Sequence, residues 1–491
     1  MGGTTAKSGG GYWIPNSHHM RAAGISDDRD TFLRYCARVS FPELYKANHP
    51  TYGLFEHNFR LLETFYDNAA RIVEHMDNTG ALPSYMKTSW EGAPAPDYHG
   101  QIPENGGIRG RQTHTHNADL GRGAGGDMIR WMSAYVRANG GDIREEHRVV
   151  KIVRDGDGRV VGVHADMPNG IESFRARKGV IFGSGGFTHN PEMRANFQRT
   201  PIMGGCAVPS NTGDLVLMSA EIGVKLGNMN EAWNQQVVLD EVLQFSSVPG
   251  GVFFLGGDSM IMVNRFGHRT ANEKSVYPER TRSHQVYDAF MGNYPNLYQI
   301  MIFDEKAREF GGQLIPGPDA NIPGHVIVGE TLEDLARGID AKFASFAEQI
   351  GDYSVDENFV ANLRETIARY NGFAETGKDL DFHRGEPPIE RHFHPIPLDR
   401  GLPQPYLAPI SDTGPYYAVL LGAGALDTKG GPAFDVNGQV LDVHDQPIPG
   451  LYAAGNCTAS PSGKSYLGGG GTLGLGVTFG YLAGEHAAAQ A

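Results

Sequence analysis

The sequence predicts an α/β (α+β) fold in which one domain is built from both ends of the chain and a second domain is inserted between them. Strand-like apolar runs end in glycine clusters at residues 183–186 ("GSGG") and 468–476 ("GGGGTLGLG"), far apart in the chain. The region between them changes character, because it becomes strand-rich, then crowded with Pro, Arg and Tyr, and then helical. We therefore expect a discontinuous first domain, residues 1–238 with 414–491, and an inserted second domain, residues 239–413.

Local patterns predict the elements of the first domain in order. Residues 126–138 carry apolar side chains at helical spacing and stop at an Asn-Gly-Gly sequence. Two β-branched runs then flank the sequence "DGDG" (155–158), which is typical of a hairpin. The segment that follows "GSGG" contains a predicted helix, with Asn211 or Thr212 near its N-cap and Asp214 in its first turn.

The inserted region and the C-terminal segment continue the pattern. Residues 331–349 and 357–371 place apolar side chains at helical spacing, which predicts two amphipathic helices. Near the C-terminus, the run from Leu451 to Ala454 is a predicted strand, and a last helix is expected from about 475 to 489. A strand followed by a glycine-rich loop and a helix presents backbone N–H groups to a ligand.

Composition and charge limit the classes of function. The chain of 491 residues carries 42 Lys and Arg against 56 Asp and Glu, a formal net charge of −14. This balance opposes nucleic-acid binding, which needs clustered positive charge. The sequence shows no apolar run long enough to span a membrane and no signal-peptide pattern, and its three cysteines are far apart. We expect a cytoplasmic protein with neither a disulfide framework nor a zinc site.

Glycine is the unusual residue, at 66 of 491 positions against an average of about 7 %. Its clusters stand at residues 2–11, 183–186, 422–431 and 468–476, each beside a strand-like run. Glycine lets the backbone approach a ligand closely. We therefore expect these loops to converge on one extended ligand.

Four segments resemble flavoproteins of the fumarate reductase/3-ketosteroid dehydrogenase family: "GGTTAKSGGG", "GVIFGSGGF", "RFGHRTANE" and "YAAGNCTASPSGKSYLGGGGTLGLG". The resemblance covers essentially the whole chain and implies an FAD-binding Rossmann-like domain with an inserted α+β substrate-binding or capping domain. It also implies non-covalent FAD. The residues that correspond to the family's flavin contacts are Thr5, Ser8, Gly9, Gly10, Val150, Gly183, Gly185, Gly186, Asp214, Gly455, Asn456, Thr472 and Leu473.

The opening loop "GGTTAKSGGG" stands in an unusual place. In the family it follows a βαβ unit whose GxGxxG turn holds the cofactor pyrophosphate. No GxGxxG precedes the loop in this sequence. The sequence therefore predicts a family member that lacks its first βαβ unit. An alternative of another class follows, an inactive truncated flavoprotein that acts only as a binding protein.

Similarity to 3-ketosteroid 1-dehydrogenases implies the reacting groups. Tyr277 corresponds to the base, and the Tyr466 hydroxyl and the Gly470 N–H together hold the substrate ketone oxygen. Tyr98 corresponds to a tyrosine that assists the base, with Tyr85 as the alternative. The implied reaction desaturates a carbon–carbon bond beside a ketone, so that the α carbon loses a proton and the β carbon loses a hydride. The expected partners are a small apolar ketone, foremost a 3-ketosteroid, and an external electron acceptor.

The alternative within the family is a fumarate-reductase-like enzyme that reduces an enoate. Such enzymes need arginines, because a guanidinium clamps a carboxylate with two hydrogen bonds and keeps its charge. At the corresponding arginine positions this chain has Tyr277 and Tyr466, and at the position of two histidines it has Leu426-Asp427. Arg280 and Arg282 remain the candidates to contact an anion.

Other reactive side chains have weaker patterns. His114 and His116, and likewise His392 and His394, would place two imidazoles on one face of a strand, but no Cys or carboxylate stands at ligand spacing. Cys457 lies beside the implied flavin without a paired histidine or a second cysteine. We expect no metal site and no cysteine redox chemistry.

Overall fold

The chain divides into two compact units. The computed structural model describes residues 1–394 and 399–490. Unit 1 comprises Met1–Arg199, Ala207–Trp233 and Asp427–Ala491, and unit 2 comprises Thr200–Cys206 and Asn234–Leu426. Unit 1 is thus discontinuous in sequence and unit 2 is inserted into it. That the first domain binds cofactor and the second binds substrate stays a prediction.

The described residues form both α-helices and β-strands, several of each following one another along the chain. The helices are α1 (Gly3–Lys7), α2 (His18–Ala22), α3 (Arg29–Ser40), α4 (Glu56–Asn78), α5 (Gly125–Ala138), α6 (Pro191–Phe197), α7 (Asp214–Ala220), α8 (Leu239–Gln244), α9 (Tyr277–Arg282), α10 (Glu305–Phe310), α11 (Leu332–Ala344), α12 (Ala347–Ile350), α13 (Phe359–Thr376), α14 (Pro388–Phe393) and α15 (Gly471–Ala489). The strands are β1 (Gly11–Trp13), β2 (Ser84–Met86), β3 (Gln112–Thr115), β4 (Arg148–Arg154), β5 (Val160–Met167), β6 (Gly170–Arg175), β7 (Val180–Phe182), β8 (Leu226–Gly227), β9 (Ala232–Val238), β10 (Met260–Val263), β11 (Tyr298–Asp304), β12 (Val326–Gly329), β13 (Tyr416–Thr428), β14 (Gly431–Pro432), β15 (Gln439–Leu441) and β16 (Pro447–Ala453). Within the described part of the chain, no helix combines the length and the apolar character that crossing a membrane requires.

Unit 1 is a set of small sheets with helices packed on them. β7 pairs in parallel with β16, and β16 pairs antiparallel with β15. β4, β5 and β6 form a second sheet, β1, β3 and β2 a third, and β8 pairs with β14. Phe182 of β7 and Leu451 of β16 are buried in one core cluster with Leu215 of α7, and burial of this kind explains why these strands are apolar runs.

The parallel pairing of β7 and β16 positions two glycine-rich loops. The carboxyl ends of parallel strands lie at the same edge of a sheet, and each of these two strands is followed closely by glycine, Gly183 after β7 and Gly455 after β16. The loop after β16 leads on to α15, the last helix. The expectation that a first βαβ unit is missing stays a prediction.

Unit 2 is built on one antiparallel sheet, in the order β10-β11-β13-β12, with β9 also paired to β13. Successive residues of β11 enter opposite clusters. Ile300 and Ile302 pack in the cluster that contains α11 and α13, whereas Met301 and Phe303 belong to the cluster on the other face. This period of two shows a sheet that is buried on both faces.

Several predicted elements are confirmed. The helix expected at 126–138 is α5, and the hairpin around "DGDG" is β4 with β5. The two helices expected in the inserted region are α11 and α13, and the strand expected from Leu451 is the end of β16. These segments carry a clear period of 3.6 or 2, which is the strongest local signal in a sequence.

Two helix starts differ from the prediction. α15 begins at Gly471 rather than near 475, because its glycines serve close packing: a Cβ on Gly474 would lie 2.2 Å from the carbonyl oxygen of Trp13. α7 has Gly213 as its N-cap, at φ 83°, in place of Asn211 or Thr212. A left-handed residue at that position favours glycine.

Candidate active site

A cavity of about 720 Å³ lies in unit 1, beside the loops that follow β7 and β16. Its walls come from the start of the chain, α5, these two loops and the first turns of α15. The polar residues that line the cavity are Thr4, Thr5, Ser184, Ser210, Asn211, Asp427, Asn456 and Thr472. The apolar lining is Met76, Met128, Ile129, Met132, Val208, Leu473, Val477 and Tyr481.

Glycine backbone forms part of the cavity wall. A Cβ built on Gly183 or Gly455 would meet no heavy atom within 4 Å, so the bare backbone of both residues borders open volume. Gly185 has a different reason to be glycine, since its φ is 76° and a Cβ would lie 2.5 Å from Nδ2 of Asn211. These glycines leave room for a ligand and keep the loop close to Asn211.

Asp427 ties the loops of this cavity together. Its carboxylate is fully buried and accepts five hydrogen bonds. The donors are Gly186 N (2.8 Å), Asn211 Nδ2 (2.6 Å), Asn456 Nδ2 (3.1 Å), Thr188 Oγ1 (2.9 Å) and Thr428 N (2.9 Å). Burial raises the pKa of the Asp427 carboxyl, and the surrounding donors oppose that rise. From the sequence, Asp427 stands out only as a replacement for histidine, and its role in joining the loops was not predicted.

The start of α15 supplies the positive end of a helix dipole to the cavity. Thr472 and Leu473 of its first turn line the cavity, and exposed N–H groups there suit phosphate or carbonyl oxygens. Gly470 is the N-cap, at φ 91°, and a Cβ would lie 2.4 Å from the backbone nitrogen of Tyr12. Only glycine fits at position 470.

Two of the predicted tyrosines lie together in unit 1. The rings of Tyr98 and Tyr466 are 5.1 Å apart, and Trp233 packs edge-on against Tyr466 at 4.8 Å. The Tyr466 hydroxyl accepts a hydrogen bond from Thr472 Oγ1 at 3.3 Å. Trp233 is held in turn, because its Nε1 donates to Oδ1 of Asn456 at 2.9 Å. The tyrosine pair is thereby linked to residues that line the cavity.

Tyr35, which no motif in the sequence indicates, holds this tyrosine pair in place. Its buried hydroxyl donates to the carbonyl of Leu467 at 2.5 Å and accepts from the His99 N–H at 3.4 Å. The Tyr98 N–H donates to the same Leu467 carbonyl at 3.4 Å. One hydroxyl from α3 therefore connects the Tyr98 segment to the Tyr466 segment, which are far apart in sequence.

Tyr277 lies in unit 2 as the first residue of α9 and is buried. Phe253 packs edge-on against its ring at 5.2 Å, and Phe393 at 6.0 Å. Arg280, one turn along α9, is also buried and interacts electrostatically with Tyr277. Its guanidinium donates to Oε1 of Gln236 at 3.0 Å and to backbone carbonyls.

The chain matches the FAD binding domain family (FAD_binding_2) over residues 1–473. It belongs to that family. It is 31% identical to the 4-oxocyclohexanecarboxylate 2-dehydrogenase of Sinomonas cyclohexanicum, over 100% of this chain and 87% of that protein. It is also 31% identical to a 3-oxosteroid 1-dehydrogenase of Mycolicibacterium smegmatis, over 100% of this chain and 91% of that protein. These matches confirm the resemblance, and this member of the FAD binding domain family is an FAD-dependent oxidoreductase.

A solved structure agrees with this assignment. The 3-ketosteroid delta1-dehydrogenase from Sterolibacterium denitrificans, in complex with 1,4-androstadiene-3,17-dione, is similar with a TM-score of 0.81 and 27% sequence identity. The likeness covers 99% of this chain and 93% of that chain. The predicted mixed fold of an FAD-binding domain with an inserted domain is therefore that of a known flavoenzyme.

The residues of the cavity fit FAD. Hydroxyl and amide side chains on one part of the lining suit a polar nucleotide, and methionine, leucine and valine on the other suit a flat ring. Seven of the predicted flavin contacts line the cavity: Thr5, Gly183, Gly185, Gly455, Asn456, Thr472 and Leu473.

The other predicted flavin contacts are placed around the cavity or away from it. The Gly186 N–H donates to the carboxylate of Asp427, which lines the cavity. Ser8, Gly9 and Gly10 directly follow α1, where the Ser8 hydroxyl donates to the Thr5 carbonyl at 2.7 Å. Val150 is 39% exposed on β4, and Asp214 pairs with Arg148 at 2.8 Å. Asn211 and Ile129 line the cavity although the sequence did not single them out for it.

The remaining candidates have structural surroundings of their own. The ring of Tyr85, the alternative to Tyr98, lies 6.0 Å from that of His114 and 4.8 Å from that of His116, beside the sheet of β1, β3 and β2. Burial raises the pKa of Cys457 to about 11, which keeps the thiol protonated at neutral pH. The prediction of a strand at residues 392–394 is wrong, because residues 388–393 form the helix α14. A proline at the first position of a helix favours that conformation.

Proposed function

We propose that this flavoenzyme desaturates the carbon–carbon bond beside the carbonyl of an apolar cyclic ketone, with 3-ketosteroids as the substrate class and 1,2-dehydrogenation as the reaction. The observation that carries the proposal is the neutral, aromatic surrounding of the three tyrosines: Tyr466 contacts Tyr98 and Trp233, and Tyr277 contacts two phenylalanines. The names of the similar proteins, dehydrogenases of 4-oxocyclohexanecarboxylate and of 3-oxosteroids, share a cyclic ketone, and the second of them supports an apolar one.

In this proposal the chain's own residues polarise the ketone and move one proton. The ketone oxygen accepts hydrogen bonds from the Tyr466 hydroxyl and the Gly470 N–H, where enolate charge develops, and this acidifies the α carbon. Tyr277 removes the α proton, with Tyr98 assisting. Arg280 favours the tyrosinate that a base needs, because a buried cation attracts it. Bound FAD supplies the acceptor for the hydride that leaves the β carbon.

A carboxylate substrate of the fumarate-reductase type has less support. The guanidinium of Arg280 is engaged by Gln236 and by the carbonyls of Val252 and Ser275, so protein acceptors already use its donors. Asp427 adds a carboxylate, which would repel an anion, at the position where the fumarate reductases carry histidine. The residues therefore favour an uncharged substrate carbonyl.

The proposal includes the division of labour between domains and the setting of the reaction. Residues 1–238 with 414–491 bind FAD, and residues 239–413 bind the ketone. An external electron acceptor reoxidises the flavin, and the enzyme works in the cytoplasm.

Two substitutions separate the proposed roles of the tyrosines. Tyr277→Phe removes the base and leaves the carbonyl donors, so flavin reduction should slow by at least about a hundredfold while a ketone ligand still binds. Tyr466→Phe removes one donor to the developing enolate and should cost about 3–4 kcal/mol of transition-state stabilisation. It should also weaken the binding of phenolic enolate mimics. Rates are read from flavin absorbance after anaerobic mixing.

Tyr287→Phe is the control, because Tyr287 is 57% exposed and the proposal gives it no role. It should reduce flavin at the parental rate. If Tyr277→Phe and Tyr466→Phe also keep the parental rate, neither hydroxyl takes part and the proposed mechanism is wrong.

A further inference from the structure

Three side chains of unit 1, two from α2 and one from α4, converge outside the lining of the flavin cavity. His18 and His19 are the first two residues of α2, whose N-cap is Ser17. Asp77 lies in the last turn of α4. The Nε2 of His18 is 2.9 Å from Oδ2 of Asp77, and the Nε2 of His19 is 3.7 Å from the same oxygen.

We propose that His18, His19 and Asp77 bind one divalent transition-metal ion of the zinc type. Their ligand atoms all lie within 4.8 Å of one another, which is the spacing of donors that share a tetrahedral ion about 2 Å from each of them. The two imidazole rings also lie close together, with centroids 3.8 Å apart and their planes tilted by 40°. A bound cation satisfies both imidazoles and the carboxylate at once.

The carboxylate of Asp77 is already oriented for this role. Its Oδ1 accepts the Ser84 N–H at 3.2 Å, and its Oδ2 accepts the Ser84 hydroxyl at 2.9 Å. The Ser84 Oγ is also 2.8 Å from Nε2 of His19. Ligating carboxylates in metal sites are commonly fixed by such hydrogen bonds. Ser84 in β2 therefore holds the Asp77 oxygen towards the two imidazoles.

The donor set decides the kind of ion. Two imidazole nitrogens and one carboxylate oxygen suit Zn²⁺ and related transition metals, whereas Mg²⁺ and Ca²⁺ prefer oxygen ligands throughout. The side chains of His18, His19 and Asp77 are 19%, 20% and 23% exposed, so an ion can enter from solvent and water can complete its coordination. Ligation at His18 Nε2 replaces the hydrogen bond to Asp77, and any proton held there passes to solvent.

The consequence of such an ion is mechanical. It cross-links α2 to the end of α4, and α2 also contacts β2, the strand that carries Ser84. The site requires no flavin and no substrate, so its test is independent of the proposed reaction.

The test is zinc binding by the purified, flavin-loaded protein after treatment with a chelator and desalting. Titration with ZnCl2, followed by calorimetry and by elemental analysis, should give about one Zn²⁺ per chain, and the melting temperature should rise with zinc concentration. MgCl2 should produce neither effect. Absence of zinc binding by the unaltered protein overturns the proposal, whatever the behaviour of any variant.

Variants locate the ion. Asp77→Asn and His19→Gln keep the size of each side chain and remove one ligand, so each should weaken zinc binding by at least about tenfold. His49→Gln removes an exposed imidazole from another part of unit 1 and should leave the affinity unchanged. If Asp77→Asn does not fold, His18→Gln replaces it in the comparison. Equal affinity in the ligand variants and in His49→Gln shows surface binding elsewhere and overturns the assignment.

Discussion

Asp427 of unit 1 forms hydrogen bonds with several segments that are far apart in the sequence. It receives hydrogen bonds from the loop after β7, from Asn211 and from Asn456. Hydrogen bonds to a charged group contribute about 1.5–3 kcal/mol each, and an amide at this position would turn its own N–H groups towards some of these donors. The side chain is therefore expected to stabilise both the fold and the cofactor site.

Asp427→Asn tests this role. We expect the free energy of unfolding to fall by about 3 kcal/mol or more, since at least two of the five hydrogen bonds are lost, and FAD to dissociate more readily during gel filtration. Unfolding in urea and the ratio of flavin to protein measure the two effects. Asp445→Asn is the control, because that carboxylate is 61% exposed and pairs with a lysine, Lys225, that is 46% exposed. Equal losses in both variants would contradict the role given to Asp427.

At the same scale, the sequence led to individual residues only where a motif surrounds them. Gly183, Gly455 and Thr472 lie within glycine-rich segments, and each of them lines the cavity. Tyr35 could not be found in this way, because its hydroxyl joins segments more than 300 residues apart in sequence. A single tyrosine in an amphipathic helix carries no local sign of such a partner.

At the scale of elements, α14 supports the segment that carries Tyr277. Its Glu390 is fully buried and accepts the Asn272 amide at 2.8 Å and the Gly385 N–H at 2.7 Å. Its last residue, Phe393, packs on Tyr277. Burial raises the pKa of Glu390 to about 7, although the two donors oppose that rise.

The raised pKa of Glu390 makes the stability of the protein depend on pH. The unfolded carboxyl titrates near 4.3, so the folded state binds the proton more tightly. Its contribution to stability is complete below that value and is lost as the pH rises to about 7. The loss amounts to about 4 kcal/mol, at 1.36 kcal/mol per pKa unit. Unfolding in urea between pH 5 and 8 should show this decline in the parent and not in Glu390→Gln. Parallel curves for the two proteins would show that Glu390 does not titrate in this range.

The elements themselves were predictable where periodicity was strong. α5, α11 and α13 show helical spacing, and the hairpin of β4 and β5 surrounds a turn that favours Asp and Gly. The start of α15 was placed four residues too late, because glycine usually marks a loop. Gly474 is helical here because the helix lies against the backbone of Trp13, a contact that only the folded chain contains.

At the scale of the whole molecule, the order of the four flavin-family segments predicted the fold, and the family match over residues 1–473 confirms it. The inserted unit was predicted from a change in composition alone. Its sheet order, β10-β11-β13-β12, was not predicted, because pairing between distant strands leaves no local pattern. The proposed ketone substrate depends on the roles proposed for the three tyrosines.

The most direct test of the central claim is anaerobic mixing of the flavin-loaded protein with a 3-ketosteroid whose 1,2 bond is saturated. We expect the flavin absorbance to be bleached and the steroid to be converted to a product with two fewer hydrogen atoms, while succinate leaves the flavin oxidised. A flavin that stays oxidised with every cyclic ketone would contradict the account. So would reoxidation of the reduced flavin by fumarate at a rate comparable with turnover of the ketone.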